Sequence, residues 1–282
     1  MFTEPSHSPA GRLFFSISNL HERHSRKPMS LFIGLAAGIF GGLVGLAGGA
    51  VMIPLMVGFL KIGQHKAHGT SLVALVFTGA LGALIYGMNH NVDIMAAVIL
   101  AIPAMITARM GARYCHVLPE WKLRRAFGTF LMFVSVLMVL KFYLPYPVVP
   151  LSGWAKVVLL VLTGFLTGFL AGLMGVGGGA LMIVAMVLIG GYNQHMAQGS
   201  ALLAIIPGGM VGAYTHWRLG NTEGYLLKGL IPGILAGTWV GGSFANVLPE
   251  GILRAIFAVV LVWIGIQYLR TPPAANVCVE EL

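Results

Sequence analysis

The chain has 282 residues, of which 57% are hydrophobic and 9% are charged. A soluble domain carries roughly 25% charged residues, so a water-facing surface over a fold of this length is excluded. Lys and Arg number 17 against 8 Asp and Glu, but no basic patch is interleaved with aromatics, which argues against nucleic acid as a partner. The excess reads instead as the basic bias of cytoplasmic loops in a membrane protein.

Residues 1–29 are polar, with Arg12, Arg23, Arg26 and Lys27. They lack the apolar core and small-residue cleavage site of a signal peptide and read as a cytoplasmic tail. Residues 30–144 form a first transmembrane repeat. It opens with a glycine-rich apolar stretch at 31–60, too long for one upright helix, since thirty helical residues span about 45 Å and the hydrocarbon core about 30 Å. Gly45-Leu46-Ala47-Gly48-Gly49 interrupts it, and glycine clusters turn rather than propagate a helix. The expectation is two short helices meeting at a glycine turn, entering and leaving on the same side of the bilayer. A polar turn around Gln64 and His65 follows, then apolar segments at 71–88, 94–112 and 124–143. A Pro-rich linker at 145–156 leads to a second repeat at 157–270. This repeat has the same plan: a stretch at 157–189 broken at Gly175-Val176-Gly177-Gly178-Gly179, a polar turn with Gln194 and His195, and segments at 201–217, 225–245 and 252–269. Pro103, Pro207 and Pro232 lie inside segments, where they should kink the helices. Residues 271–282 form a C-terminal tail.

The two halves align without a gap at an offset of about 130 residues. Gly34, Gly38, Gly42, Gly45, Gly48 and Gly49 fall on Gly164, Gly168, Gly172, Gly175, Gly178 and Gly179. Gln64-His65 falls on Gln194-His195, Gly69-Thr70 on Gly199-Ser200, and Leu118-Pro119-Glu120 on Leu248-Pro249-Glu250. Hydrophobicity alone would not keep Gln-His and Leu-Pro-Glu in register. Loop charge then orients the copies. With the N-terminus inside and each hairpin a net non-crossing, Lys61, Lys66, Arg109, Arg113, Lys122, Arg124, Arg125, Arg218, Lys228 and Arg270 fall inside, which matches the positive-inside rule almost throughout. An odd number of crossings per half inverts the second copy. The expected fold is therefore an all-α polytopic membrane protein of two inverted-topology repeats, each a glycine-broken hairpin plus three transmembrane helices, with both termini cytoplasmic.

Two groups of residues are candidate contacts for a small anionic solute. The glycine turns come first: Gly45, Gly48, Gly49, Gly175, Gly178 and Gly179. A broken helix exposes N–H groups and a positive dipole end, and glycine lets backbone approach a ligand. Tight helix packing is the competing reading, and it wins for Gly34, Gly38 and Gly42, which are Gly-xxx-Gly spaced. The polar turns come second: Gln64, His65, Thr70, Ser71, Gln194, His195 and Ser200, with His68 and Gln198 nearby, offer N–H and O–H donors to an oxyanion. Ordinary turn chemistry and helix capping by Thr70 or Ser200 compete there. His65 with His68 makes a poor metal pair, because His195 aligns beside Gln198 and no carboxylate completes a site. Cys115 and Cys278 suggest neither metal nor disulfide. No metal or cofactor is expected. The Leu-Pro-Glu motif reads as helix initiation, and Arg109 near a boundary can snorkel or meet an anion. All acids fall in tails or at segment ends, so no carboxylate-based coupling is expected. Ser71, Ser135 and Ser200 have no triad neighbours, so no enzyme is expected.

The motif Gly-x-Gly-Gly-Gly-Ala near the start of a half, followed by a polar stretch ending Ala-x-Gly-Thr/Ser, is similar to that of the sulfite exporter TauE/SafE family, over about residues 31–270. The second half keeps the glycine motif intact. The first has Ala47 at the central glycine, while it keeps the family's following proline as Pro54, where the second half has Val184. The resemblance implies movement of small organosulfur or sulfur-oxyanion solutes, such as sulfite or sulfoacetate, across the cytoplasmic membrane. An uptake transporter or channel for another small anion remains the alternative. The sequence assigns no oligomeric state.

Overall fold

The computed structural model describes residues 28–114, 153–175 and 177–270, with scattered positions between 125 and 136. Most of the N-terminal tail, the linker up to 152, the first copy of the Leu-Pro-Glu motif, most of the segment at 124–143 and the C-terminal tail lie outside the described residues. So does Val176.

Among the described residues the chain is entirely helical. The first repeat contributes α1 (Pro28–Val44), α2 (Gly49–Phe59), α3 (Gln64–Met88) and α4 (Ile94–Tyr114). The second contributes α5 (Trp154–Met174), α6 (Gly179–Leu188), α7 (Gln194–Arg218), α8 (Gly224–Val247) and α9 (Glu250–Arg270). Helices α3, α4, α5, α7, α8 and α9 carry apolar stretches long enough to cross a bilayer, whereas α1, α2 and α6 are shorter. The two long glycine-rich stretches are each split into a helix pair, as the glycine clusters predict.

The polar segments depart from the expectation of turns. Gln64 to Ser71 and Gln194 to Ser200 are helical, forming the first two turns of α3 and α7. The side chain of Asn193 explains the early start of α7: Met196 N donates to Asn193 Oδ1 at 2.7 Å, an N-cap. Thr70 and Ser200 therefore do not cap these helices but lie inside them.

The repeats interlock rather than sit side by side. Helix α1 lies along α8: a methyl on Gly34, Gly38 or Gly42 would collide with backbone at Leu230, Ile234 or Thr238 respectively. The matching residues Gly164, Gly168 and Gly172 of α5 lie against Leu100, Ala104 and Ala108 of α4. Both pairs run parallel, and each joins one repeat to the other. Helices α3 and α7 pack head to tail. A methyl on Gly79 would lie 2.9 Å from Leu202 O, and one on Gly209 would lie 3.3 Å from Val76 Cγ2 and 4.0 Å from Leu72 O. Each contact recurs with the repeats exchanged, which is the pattern of a two-fold axis crossing α3 and α7. Glycine at these positions brings backbones together so that dispersion, rather than water exclusion, holds the helices.

The acids among the described residues are Asp93, Glu223 and Glu250. Asp93 precedes α4, Glu223 is the N-cap of α8, and Glu250 opens α9. None lies within a helix interior.

One substitution tried at two positions tests this packing. Gly172→Ala places a methyl on Ala108 O, whereas Gly58→Ala meets nothing within 4 Å. Gly172→Ala should destabilise by about 1–3 kcal/mol, and Gly58→Ala should stabilise by about 0.5–1 kcal/mol through helix propensity. Tryptophan-monitored thermal unfolding in detergent should therefore lower the first midpoint and hold or raise the second; the opposite order would contradict the interlocked arrangement.

Candidate functional site

Helix α1 ends at Val44 and α2 begins at Gly49, with Gly45 and Gly48 in the left-handed region at φ 75° and 76°. Helix α5 ends at Met174 and α6 begins at Gly179, with Gly175 and Gly178 both at φ 66°. Ala47 stands at the position of Gly177, and it too is left-handed, at φ 55° against 86°. The first turn thus keeps the same conformation without the central glycine, at a cost of about 1–2 kcal/mol. Neither Gly48 nor Gly178 has a side chain to cap the helix it opens. The first N–H groups of α2 and α6 are therefore left without an intrahelical acceptor.

The two turns meet. A methyl on Gly179 would lie 3.0 Å from Gly45 O and 3.5 Å from Leu46 Cα. Both turns are buried. The walls come from early residues of α3 and α7, again crosswise. Gln198 of α7 lies against Gly45, with its Cβ and Cγ each 2.9 Å from where a Gly45 methyl would sit. His68 of α3, its mate in the repeat, lies against Gly175 in the same way.

Broken helices also leave carbonyls at their C-terminal ends, and side chains of both repeats supply donors. Tyr86 donates to Gln198 Oε1 at 2.7 Å, with Gly42 O 3.2 Å away. Its mate His216 donates from Nε2 to Gly172 O at 3.1 Å. His68 donates from Nδ1 to Met174 O. Ser71 Oγ lies 2.8 Å from both Gly175 O and His68 O, so its single proton serves one of them. Against this well-paired surrounding, Gln198 Nε2 is fully buried without a hydrogen-bond partner. Gln198 thus packs its unpartnered amide at the turn that the uncapped start of α6 also reaches, which gathers unanswered donors there.

The candidate residues separate into two groups. Gly45, Gly48, Gly175, Gly178, Gly179 and Ser71 gather at the meeting of the turns, and Gly49 opens α2 beside them. Thr70 and Ser200 tie the repeats together instead: Glu223 N donates to Thr70 Oγ1 at 2.9 Å, and Asp93 N donates to Ser200 Oγ at 2.8 Å. His195 Nε2 donates to Ala245 O at 3.1 Å, at the end of α8, and Gln194 N donates to Glu250 Oε1 at 3.1 Å at the start of α9. The Gln194 side chain is fully buried with both polar atoms unpartnered. Gln64 and His65 occupy the matching first turn of α3. Tyr86 and His216, by contrast, went unnoticed in the sequence, where they stand as an aligned hydroxyl and imidazole late in apolar segments.

Near Asp93 the α6–α7 loop adds Tyr192, whose phenol donates to Asp93 Oδ2 at 2.9 Å. Burial, and then the Asp93 hydrogen bond and charge, raise its pKa, so it stays a neutral donor. At the opposite end Lys66 pairs with Glu223 at 2.6 Å, an exposed pair of small energetic weight.

The sulfite exporter TauE/SafE profile matches residues 30–268, from α1 almost to the end of α9. The chain belongs to the TauE/SafE family. It is 26% identical over 264 residues to the "Probable membrane transporter protein YunE" of Bacillus subtilis, covering 84% of this chain and 95% of that one. A "Probable membrane transporter protein" of Haemophilus influenzae is 27% identical over 264 residues, covering 85% and 96%. No solved structure matches. Family membership and the long apolar helices together identify a multi-pass membrane transporter of this family. The turns that meet at its centre come from the glycine motif on which the resemblance rests.

The crosswise loop anchors carry a stability prediction. Thr70→Val and Ser200→Ala each remove the acceptor for a loop N–H in the other repeat. Each should cost about 1–3 kcal/mol, visible as a lower unfolding midpoint in detergent. Midpoints unchanged in both variants would show that these bonds do not hold the repeats together.

Proposed function

We propose that this transporter exports small organosulfur or sulfur-oxyanion solutes, sulfite and sulfoacetate being the type, across the cytoplasmic membrane, and that it carries them unchanged. The observation that carries the reading is the meeting of Gly45 and Gly179, which brings the uncapped start of α6 to the buried turn against which Gln198, with its unpartnered amide, packs. Helix N-termini favour anions through their N–H groups and dipoles. Glycine removes the side chains that would keep a compact tetrahedral or pyramidal oxyanion away. Gly45, Gly48, Gly49, Gly175, Gly178 and Gly179 are the proposed backbone contacts. Ser71 and Gln198 supply side-chain polarity, Gln64, His65, Gln194 and His195 in the first turns of α3 and α7 are proposed as further contacts, and Thr70 and Ser200 hold the flanking loops.

In this reading the repeats are inverted in the bilayer, with both termini in the cytoplasm. The head-to-tail packing of α3 on α7 supports it, because a two-fold axis perpendicular to membrane-crossing helices lies in the membrane plane. So does the charge: Lys66, Arg109, Arg113 and Arg218 all fall on the side assigned to the cytoplasm. Export of an anion needs no coupling carboxylate, since an inside-negative potential favours exit by about 2.3 kcal/mol per charge per 100 mV.

Proteoliposomes loaded with labelled sulfite or sulfoacetate test the proposal. Efflux should exceed that of empty liposomes, saturate, and speed up when valinomycin sets an inside-negative potential. Gln198→Leu should reduce it at least about tenfold, the scale of one buried charge-assisted hydrogen bond, while the unfolding midpoint is retained. No flux of either solute would remove the substrate assignment; flux indifferent to potential but dependent on a proton gradient would remove the uncoupled mechanism.

A further inference from the structure

Away from the central turns, the C-terminal halves of α4 and α7 form an open groove of about 700 Å³ lined by Met105, Arg109, Arg113, Pro207, Met210 and Tyr214, among others. Its two ends differ in chemistry. Arg113 and Arg218 lie in the last turns of their helices, at the mouth. Met105, Pro207 and Met210 line the inner end; Met105 and Met210 are 39% and 57% exposed, so they face the surroundings of the helices and not the protein core. From Arg113 to Met105 is eight residues of helix, about 12 Å. Arg218 is braced in place: its Nε donates to Tyr214 Oη at 2.8 Å, and its guanidinium lies over that ring, 5.3 Å from the centroid.

Three arginines at a helix end have an ordinary explanation. Cations near helix C-termini complement the dipole and snorkel to the interface. That covers Arg113 and Arg218, which are within a turn of Tyr114 and Leu219. Arg109 is more than a turn inside α4, beyond the last-turn dipole effect, and it lines the same groove. Among the described residues no carboxylate lines the groove.

The repeat supplies an internal comparison. The residues that match Arg109, Arg113 and Arg218 in the other copy are Trp239, Ser243 and Met88. The central machinery is duplicated, glycine for glycine, but this charge is present on one side only. A feature confined to one end belongs to what that end of the molecule faces, not to the duplicated solute path. In the topology proposed above, that end is the cytoplasmic leaflet, which carries the anionic lipids.

We propose that the α4–α7 groove is a binding site for an anionic phospholipid, its phosphate held by Arg109, Arg113 and Arg218 and one acyl chain lying along Met105, Pro207 and Met210. Guanidinium forks match phosphate oxygens bidentately, and the apolar inner end suits a chain of methylenes. The site is separate from the central turns, so it stands or falls without reference to flux.

Purified full-length protein in maltoside detergent, titrated with dioleoylphosphatidylglycerol or dioleoylphosphatidylcholine and read by native mass spectrometry, tests it. The anionic lipid should reach half-occupancy at a concentration about tenfold or more below that of the zwitterionic one, allowing well under 1 kcal/mol per arginine. The triple variant Arg109→Gln, Arg113→Gln, Arg218→Gln should lose that preference. The triple Arg→Lys variant, which keeps the charge, should retain most of it, separating a binding role from a folding one. Equal binding of both lipids by the wild type, or an undiminished preference in the glutamine variant, would overturn the proposal. Displacement of the anionic lipid by millimolar inorganic phosphate would also overturn it, by making the groove a site for soluble anions.

Discussion

A backbone N–H or C=O stranded in hydrocarbon costs several kcal/mol, and this structure is organised around paying that cost only where it is useful. Two helices are broken inside the molecule, at Gly45–Gly48 and at Gly175–Gly178. Each break leaves both donors and acceptors without their usual helical partners. Carbonyls at the breaks have donors nearby from both repeats: His216 donates to Gly172 O within its own repeat, His68 donates to Met174 O from the other, and Tyr86 and Ser71 lie within reach of Gly42 O and Gly175 O. The donors at the starts of α2 and α6 receive no side-chain cap. The proposed preference of the centre for an anion rests on these uncapped donors.

The breaks could not be held by either repeat alone. Each one is walled by helices of the other copy, and the glycine faces of α1 and α5 press against α8 and α4 closely enough that no side chain fits between them. The loops before α4 and α8 are pinned by Ser200 and Thr70, again across the repeat boundary. Duplication is therefore a structural requirement as well as a record of origin. The copies diverge where they face different surroundings: His68 and His216 on one half of the centre are matched by Gln198 and Tyr86 on the other, and the arginines of the α4–α7 groove have no counterparts.

Much of this was readable in the residues. Gly45-Leu46-Ala47-Gly48-Gly49 and its mate announced broken helices because clustered glycines in an apolar run favour a turn over a continued helix. The register of Gln-His, Gly-Thr/Ser and Leu-Pro-Glu gave the repeat. What escaped was long-range. Gln64 to Ser71 reads locally as a turn, since Gln-His-Lys-Ala-His-Gly has no apolar period, yet it is helical because its polar groups meet loops and turns of the other repeat. Thr70 and Ser200 were recognisable as a matched pair of hydroxyls, but their partners lie more than 100 residues away. Tyr86 and His216 share no residue type, so only their common alignment position hinted that each serves a broken-helix carbonyl.

The central claim is that the two copies oppose each other across the membrane, so that their broken helices arrive at one point from opposite sides. Matched single cysteines read this directly. Asn89 and Leu219 occupy equivalent exposed positions at the ends of α3 and α7. In a background with Cys115 and Cys278 replaced by serine, Asn89→Cys should react with an impermeant maleimide added outside intact cells, and Leu219→Cys should react only in inverted vesicles. Labelling of both from the same side would place the repeats in parallel and contradict the account.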